Sequence, residues 1–120
     1  MSPRTIGRIA AAGRVLIGSA LTVMPASGGG WIGEVAGESP VKLYGRALGV
    51  RDAAIGVGVL TAGDSEKLRP WILAGIAADI VDFAATLEAR GDLPPLGRNG
   101  VALVAGGSAL LGAWLLTQLD

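Results

Sequence analysis

The sequence contains neither cysteine nor histidine. These absences exclude disulfide bonds, thiolate catalysis, imidazole general bases and the usual zinc ligand sets. Aromatic residues make up only 4% of the chain, and the ten basic residues are matched by ten acidic ones. With no basic tract and no aromatic platform, nucleic acid is not an expected partner. We predict no metal and no cofactor.

Charge is also scarce, at 17% of the residues against about 25% in an ordinary soluble protein. Residues 99–119 contain no charged side chain at all, and a helix needs roughly 20 apolar residues to cross the hydrocarbon core of a bilayer. The 20 glycines would weaken a soluble helical protein, but small residues let transmembrane helices approach closely. The composition therefore predicts an integral membrane protein with the lipid bilayer as its surroundings.

Four apolar segments are separated by short stretches rich in glycine, proline and charge. They lie at residues 6–24, 41–62, 70–89 and 99–119. Pro70 is placed as a first-turn residue, and a short turn is expected around Trp31 in the longer first connection. Short connections favour antiparallel neighbours, so we predict one all-α domain over residues 1–120, a four-helix transmembrane bundle with up-down-up-down topology.

Five ionisable residues fall near the middle of three of these segments. They are Arg14, Arg51, Asp52, Asp79 and Asp82. Each costs about 2.5–3.5 kcal/mol at the centre of a membrane helix. Spans rich in alanine and glycine cannot offset that sum, so the five side chains are expected to face one another inside the bundle.

Helical spacing indicates which of these charges meet. Asp79 and Asp82 are three residues apart and project into the same volume, whereas Arg51 lies about 100° around its helix from Asp52. We therefore pair Arg14 with Asp52. Arg51 should face a different neighbour from Asp52, and we pair it with Asp79 and Asp82. We expect a guanidinium–carboxylate contact from Arg51 to one of these two residues.

Small residues share faces with these charges and predict close helix contacts. The glycines assigned to helix packing are Gly45, Gly49, Gly56, Gly75, Gly106 and Gly112. Gly106, Gly107 and Gly112 lie on the uncharged last segment, so we expect that face to join copies of the chain in an oligomer.

Arg46 stands nearer the membrane surface, where it can reach inward or extend outward to water. If it extends outward, two arginines face three aspartates. One aspartate should then keep its proton, since like charges in a low dielectric do not both ionise cheaply. A protonatable carboxylate inside a membrane is the most function-like feature of the sequence.

The motif RALGVRDAAIG, followed by DIVDF, resembles a group of small four-span bacterial integral membrane proteins of unknown function. Their pattern is Arg-x-x-Gly-x-Arg-Asp-x-x-x-Gly in one helix and Asp-x-x-Asp in the next, and the likeness covers residues 42–90. The resemblance implies a four-span fold with a candidate site at Arg46, Gly49, Arg51, Asp52, Gly56, Asp79 and Asp82, but no established activity. A bacterial inner-membrane location follows, and a small excess of basic residues on one side favours cytoplasmic termini.

Several functions remain open at this stage. The first is binding of a small polar ligand, or proton relay, by Arg14, Arg46, Arg51, Asp52, Asp79 and Asp82 within an oligomer. The second is a membrane enzyme in which Asp79 or Asp82 acts as a general acid on an isoprenoid or polyketide-like substrate. The third is a structural subunit of a larger membrane assembly, in which the ion pairs only fix helix register. A magnesium–diphosphate site on DIVDF is disfavoured, because no second aspartate motif follows it.

Overall fold

The computed structural model describes residues 1–119, which are helical and contain no β-strand, so the predicted all-α class is confirmed. Asp120, the last residue of the predicted domain, lies outside the described residues. The α-helices are α1 (Pro3–Val23), α2 (Gly29–Ile32), α3 (Ser39–Thr61), α4 (Ser65–Glu88) and α5 (Pro95–Thr117). The α-helices thus number five over residues 1–119, and not the predicted four, because the single-turn helix α2 lies between α1 and α3.

The start of α4 differs from the prediction. Asp64 accepts a hydrogen bond from the backbone N–H of Lys67 at 2.8 Å, and this N-cap starts the helix at Ser65. Pro70 therefore lies inside the helix and not in its first turn. Its missing N–H removes one backbone hydrogen bond near the helix start, which the cap and the following apolar turns outweigh. Similarly, α5 begins at Pro95, four residues before the predicted boundary, because proline is well suited to the first helical position.

The connection between α1 and α3 is more ordered than a simple loop. It consists of a 3-10 turn at Pro25–Gly28, the short helix α2 and a second 3-10 turn at Glu34–Gly37. Gly33 ends α2 with a φ of 86°, a conformation that favours glycine. This arrangement places Trp31, at the centre of the predicted turn, beside the beginning of α5.

α1 and α3 pack along most of their length through glycine. A methyl group added at Gly18 or Gly49 would lie 2.5 Å from a carbonyl oxygen of the facing helix, and one at Gly56 would lie 2.7 Å from the carbonyl oxygen of Ala11. Gly45 similarly approaches Pro25. The two backbones are therefore in direct contact, as small residues permit.

α4 and α5 form the second closely packed pair. A methyl group added at Gly106 would lie 3.3 Å from the ring of Phe83, and one at Gly112 would lie 2.7 Å from Ile76. Gly106 and Gly112, which the sequence assigned to contacts between copies, thus contact α4 of their own chain. A methyl group at Gly107 would meet nothing within 4 Å.

Successive long helices run antiparallel, and the molecule measures 44 × 25 × 21 Å. Within residues 1–119, three helices (α1, α4 and α5) are long and apolar enough to cross a membrane, which is consistent with an integral membrane protein. α3 is not among them, because it carries Arg46, Arg51 and Asp52. Large apolar side chains are exposed along these helices, as expected for surfaces that contact lipid.

Candidate ligand-binding site

Five charged side chains from α1, α3 and α4 form a continuous chain of ion pairs. Its order is Asp82–Arg51–Asp52–Arg14–Asp79. Arg14 donates to Asp52 at 3.2 Å and to Asp79 at 2.6 Å, while Arg51 donates to the same Oδ1 of Asp52 at 3.0 Å. The predicted meeting of the five charges is therefore confirmed, and Asp52 is the central acceptor.

The Arg51–Asp82 contact is bidentate. Nη1 lies 3.2 Å from Oδ1 and Nη2 lies 2.8 Å from Oδ2, so the planar guanidinium faces both carboxylate oxygens. This confirms the prediction that Arg51 reaches a carboxylate of the neighbouring helix. The predicted pair between Arg14 and Asp52 is also confirmed.

Two details of the predicted pairing are wrong. Arg51 was expected to face away from Asp52, yet its Nη2 bonds that residue, because the long arginine side chain reaches back around the helix. Asp79 is bonded by Arg14 and not by Arg51. A single arginine on α1 therefore connects α3 and α4.

Arg46 does not join the chain of ion pairs. Its exposed side chain donates to the carbonyl oxygen of Thr22 at 2.6 Å, near the C-terminus of α1, where a positive charge is favourable. Two arginines therefore face three aspartates. With all five ionised, the chain of ion pairs carries one net negative charge.

Asp79 is the most buried member, with a side chain only 8% exposed. Its Oδ2 accepts from Arg14, while its Oδ1 accepts no hydrogen bond from residues 1–119. Arg51 Nε is also buried without a hydrogen-bond partner among the same residues. The ion pairs thus leave hydrogen-bonding capacity unused.

A cavity of about 420 Å³ lies beside the ion-pair chain, between α1 and α5. Its volume is within the range of about 300–1,000 Å³ typical of ligand pockets. Arg14, Asp52, Asp79 and Asp82 contribute to its wall, and Ser108 is the polar residue that α5 adds. The rest of the lining is almost entirely apolar, so the cavity has an apolar interior and one charged wall.

The side of this cavity between α1 and α5 is poorly closed. These helices touch at few positions, among them Gly7 with Leu115. On the cavity rim, Ile17 of α1 is 55% exposed and Val104 of α5 is 61% exposed. A ligand could therefore enter sideways between the two helices.

Trp31 and Thr86 also belong to the site, although the sequence pattern did not predict them there. Trp31 lines the cavity and donates from Nε1 to Thr86 Oγ1 at 3.1 Å, and Thr86 donates to the carbonyl oxygen of Asp82 at 2.6 Å. The available signal was a tryptophan in a glycine-rich connection, a position typical of an interface residue. Trp31 also borders a second cavity of about 450 Å³, which Arg51 lines.

The predicted site residues thus separate into three groups. Arg14, Arg51, Asp52, Asp79 and Asp82 come together, whereas Arg46 lies apart. Gly49 and Gly56 support the site from the α1–α3 contact, and Gly75 lies at the cavity, where an added methyl group would be 3.5 Å from Arg14. Within residues 1–119, no group of three or more acidic side chains is placed to hold a metal ion.

Comparison of the chain with known protein families, curated proteins and solved structures found no match.

Proposed function

We propose that this protein is a small integral membrane protein whose ion-pair chain binds a polar ligand group, or relays protons, within the bilayer. Its four long helices would cross the membrane as an up-down-up-down bundle, with α2 at the interface. The antiparallel contacts and the pairing of both mid-helix charges of α3, Arg51 and Asp52, support a span there, since paired charges need not face lipid. The resemblance to four-span bacterial proteins agrees with this arrangement.

The observation that carries the proposal is the cavity at the ion-pair chain. Ion pairs that only fix helix register need no empty space beside them, because interiors are ordinarily close-packed. Here Asp79 is largely buried, presents an unused oxygen and lines a cavity of ligand size. A lipophilic molecule with a polar end would bury its apolar part between α1 and α5 and hydrogen-bond to the charged wall.

Fluorescence quenching tests this binding. Trp31 and Trp71 line the cavity, whereas Trp114 does not. We expect decanol brominated at its far end to quench Trp31 and Trp71 saturably in phosphatidylcholine nanodiscs. The variant that keeps only Trp114 should show the weak, linear quenching of a residue exposed to lipid.

A matched pair of variants on α5 provides the control. Gly100 lines the cavity and Gly107 does not, and an added methyl group at either position meets nothing within 4 Å. Gly100→Leu should therefore reduce saturable quenching, while Gly107→Leu leaves it unchanged. Equal effects of the two variants, or the absence of saturable quenching in the unmodified chain, would contradict ligand binding in the cavity.

A membrane enzyme is the second candidate, supported by the free oxygen of Asp79 beside an apolar cavity. A protonated Asp79 could transfer its proton to an isoprenoid double bond, which leaves a carbocation on the substrate and a carboxylate on Asp79. The carboxylate would then remove a different proton from a carbon next to the cation, so that the double bond re-forms and Asp79 is protonated again. Incubation of farnesol in deuterium oxide would then incorporate deuterium, and Asp79→Asn would abolish the exchange. Asp82→Asn is the matched variant, because Asp82 faces Arg51 with both oxygens. Unlabelled farnesol after prolonged incubation would exclude this activity.

Assembly with further chains is the third element of the proposal. The exposed face of α5 contains Leu103 and Leu110 beside Gly107, and these residues are available to a second copy or to another membrane subunit. Native mass spectrometry from detergent should reveal a homo-oligomer. A monomer that retains ligand binding would exclude the proposed homo-oligomer. A monomer that binds no ligand would favour a role as a structural subunit of a larger assembly.

The proposed location is the bacterial inner membrane, with cytoplasmic termini. Because the sequence has no cysteine, one introduced cysteine is a unique label. Cysteine at Ser2 should be protected from a membrane-impermeant maleimide added to spheroplasts. Cysteine at Gly91, in the α4–α5 connection, should be labelled by the same reagent, and its protection together with Ser2 would contradict the four-span topology. Labelling at Ser2 with protection at Gly91 would reverse the orientation.

A further inference from the structure

We infer that the ligand of the cavity between α1 and α5 is an amphiphile with a positively charged, hydrogen-donating head, such as a long-chain primary ammonium. This inference rests on the proposed function and specifies the ligand class. It follows from three features of the cavity: the sign of the charge on its wall, the type of hydrogen-bonding atom left unused and the apolar surface that continues from it.

The charged groups at the cavity wall are predominantly negative. Asp52, Asp79 and Asp82 line it together with Arg14. The second arginine, Arg51, is engaged with Asp82 and Asp52 and lines the neighbouring cavity. From α5 the wall receives Ser108, which is uncharged. A cationic head would therefore cancel the net negative charge of the ion-pair chain, and an anionic head would add to it.

The unused hydrogen-bonding atom on the wall of this cavity also favours a donating, positively charged head. Asp79 Oδ1 is a carboxylate acceptor that receives no hydrogen bond from residues 1–119. An ammonium offers three donors and no acceptor, so one of its N–H groups can bond this oxygen and no acceptor of the head is brought against the carboxylates. A hydroxyl also donates, but hydrogen bonds between two charged groups are roughly twice as strong as neutral ones.

The remainder of the cavity fits a single alkyl chain. Above and below the charged wall the lining consists of small and aliphatic side chains, among them Ala11, Ile72 and Ala105, all buried. The exposed rim between α1 and α5 provides a lateral path from the lipid. An amphiphile could thus keep its tail in apolar surroundings while its head reaches Asp79.

The experiment compares three probes that share one brominated decyl chain and differ in the head: decylammonium, decanol and decanoate. Quenching of Trp31 and Trp71 is measured at neutral pH in phosphatidylcholine nanodiscs and expressed per mole of membrane-bound probe, with Trp114 as the lipid reference. We expect decylammonium to bind about tenfold more tightly than decanol, from the difference between charged and neutral hydrogen bonds. Decanoate should bind more weakly than decanol.

The outcomes separate this inference from the proposed function. Equal affinities, or tighter binding of decanoate, would overturn the cationic ligand while leaving a binding cavity in place. Failure of all three probes to quench saturably would overturn the proposed binding function itself.

A variant at the wall tests the role of the carboxylate. Asp79→Asn should reduce the preference for decylammonium over decanol to less than threefold, with decanol affinity retained as the sign of an intact cavity. Asp64→Asn, which removes an exposed carboxylate at the start of α4, should keep the full preference. An unchanged preference in Asp79→Asn would overturn the inference. The ranking of the three heads is measured on the unmodified chain, so it decides the matter even where Asp79→Asn does not fold.

Discussion

α1 has two neighbours that it meets in opposite ways. Toward α3, Gly18 lies so close to Gly49 that an added methyl group would overlap backbone atoms. Toward α5, Gly13 lines a cavity, and an added methyl group would meet nothing within 4 Å. Small residues of α1 therefore pack closely against α3 on one side and border an open cavity on the side toward α5.

The difference depends on what the facing helix supplies. α3 presents its own small residues and Asp52, so the backbones approach and Arg14 finds a carboxylate. α5 presents no charged partner at this depth, and its glycines Gly106 and Gly112 face α4 instead. A glycine stripe alone thus does not specify contact, because the complementary surface decides between packing and empty space.

Removal of Arg14 should break the packed side most severely. Arg14→Ala leaves Asp79 buried without its partner and removes one bond to Asp52, so the free energy of unfolding should fall by about 3–5 kcal/mol. Arg8→Ala is the control on the same helix, since Arg8 is exposed and bonds a single carbonyl oxygen. Denaturation in mixed micelles measures both, and similar losses would refute the structural role of the Arg14 pairs.

Removal of Arg51 should have the next largest effect. Its side chain is about a third exposed, so Arg51→Ala should lower the free energy of unfolding by about 2–3 kcal/mol, between the values for buried and surface pairs. The double variant Arg51→Ala with Asp82→Ala should be more stable than Arg51→Ala alone, because no unpaired carboxylate remains on α4. A double variant that loses the sum of both single effects would argue against this pairing.

The two glycines of α1 test the comparison directly. Gly18→Ala should destabilise the protein by about 1–3 kcal/mol, because α1 and α3 must separate to accommodate the methyl group. Gly13→Ala has room and should be neutral, or stabilising by up to about 1 kcal/mol through its higher helix propensity. Thermal unfolding in detergent distinguishes them, and a destabilising Gly13→Ala would mean that the cavity side is closed.

The smallest expected effect concerns the tie between α2 and α4. Thr86→Val removes the acceptor for Trp31 Nε1 and should lower the free energy of unfolding by about 1 kcal/mol. The same variant should shift Trp31 emission, because its indole N–H loses a partner. Thr61→Val, at an exposed threonine of α3, is the matched control and should leave the emission unchanged.

The sequence was sufficient to predict which charges meet but not the full pattern of bonds. Spacing placed Asp79 and Asp82 on one face and indicated Asp52 as a partner of Arg14 and Asp82 as a partner of Arg51, because a costly charge in an apolar helix must find an opposite one. The bond from Arg14 to Asp79 was not predicted. The bond from Arg51 to Asp52 was missed, since helical angles describe where a side chain starts and not where a long one ends. The cavity was not predictable either, because it depends on the separation of α1 and α5.

Helix boundaries show the same division. The apolar segments located the four long helices, but the start of α4 depended on whether Asp64 or Pro70 governed it, and propensity alone favoured the proline. The contact of Trp31 with Thr86 joins residues 55 positions apart and leaves no local pattern in the sequence.

The partners of Arg14 also have a consequence for the order in which the chain enters a membrane. Asp52 and Asp79 follow it by 38 and 65 residues, so during synthesis α1 is complete well before either carboxylate exists. A bare arginine at the middle of a lipid-embedded helix costs about 2.5–3.5 kcal/mol, which disfavours early release of α1 into the bilayer. We therefore expect α1, α3 and α4 to insert together. α1 would stay at the translocation machinery, or at the membrane surface, until α3 and α4 have emerged and their carboxylates can pair with Arg14.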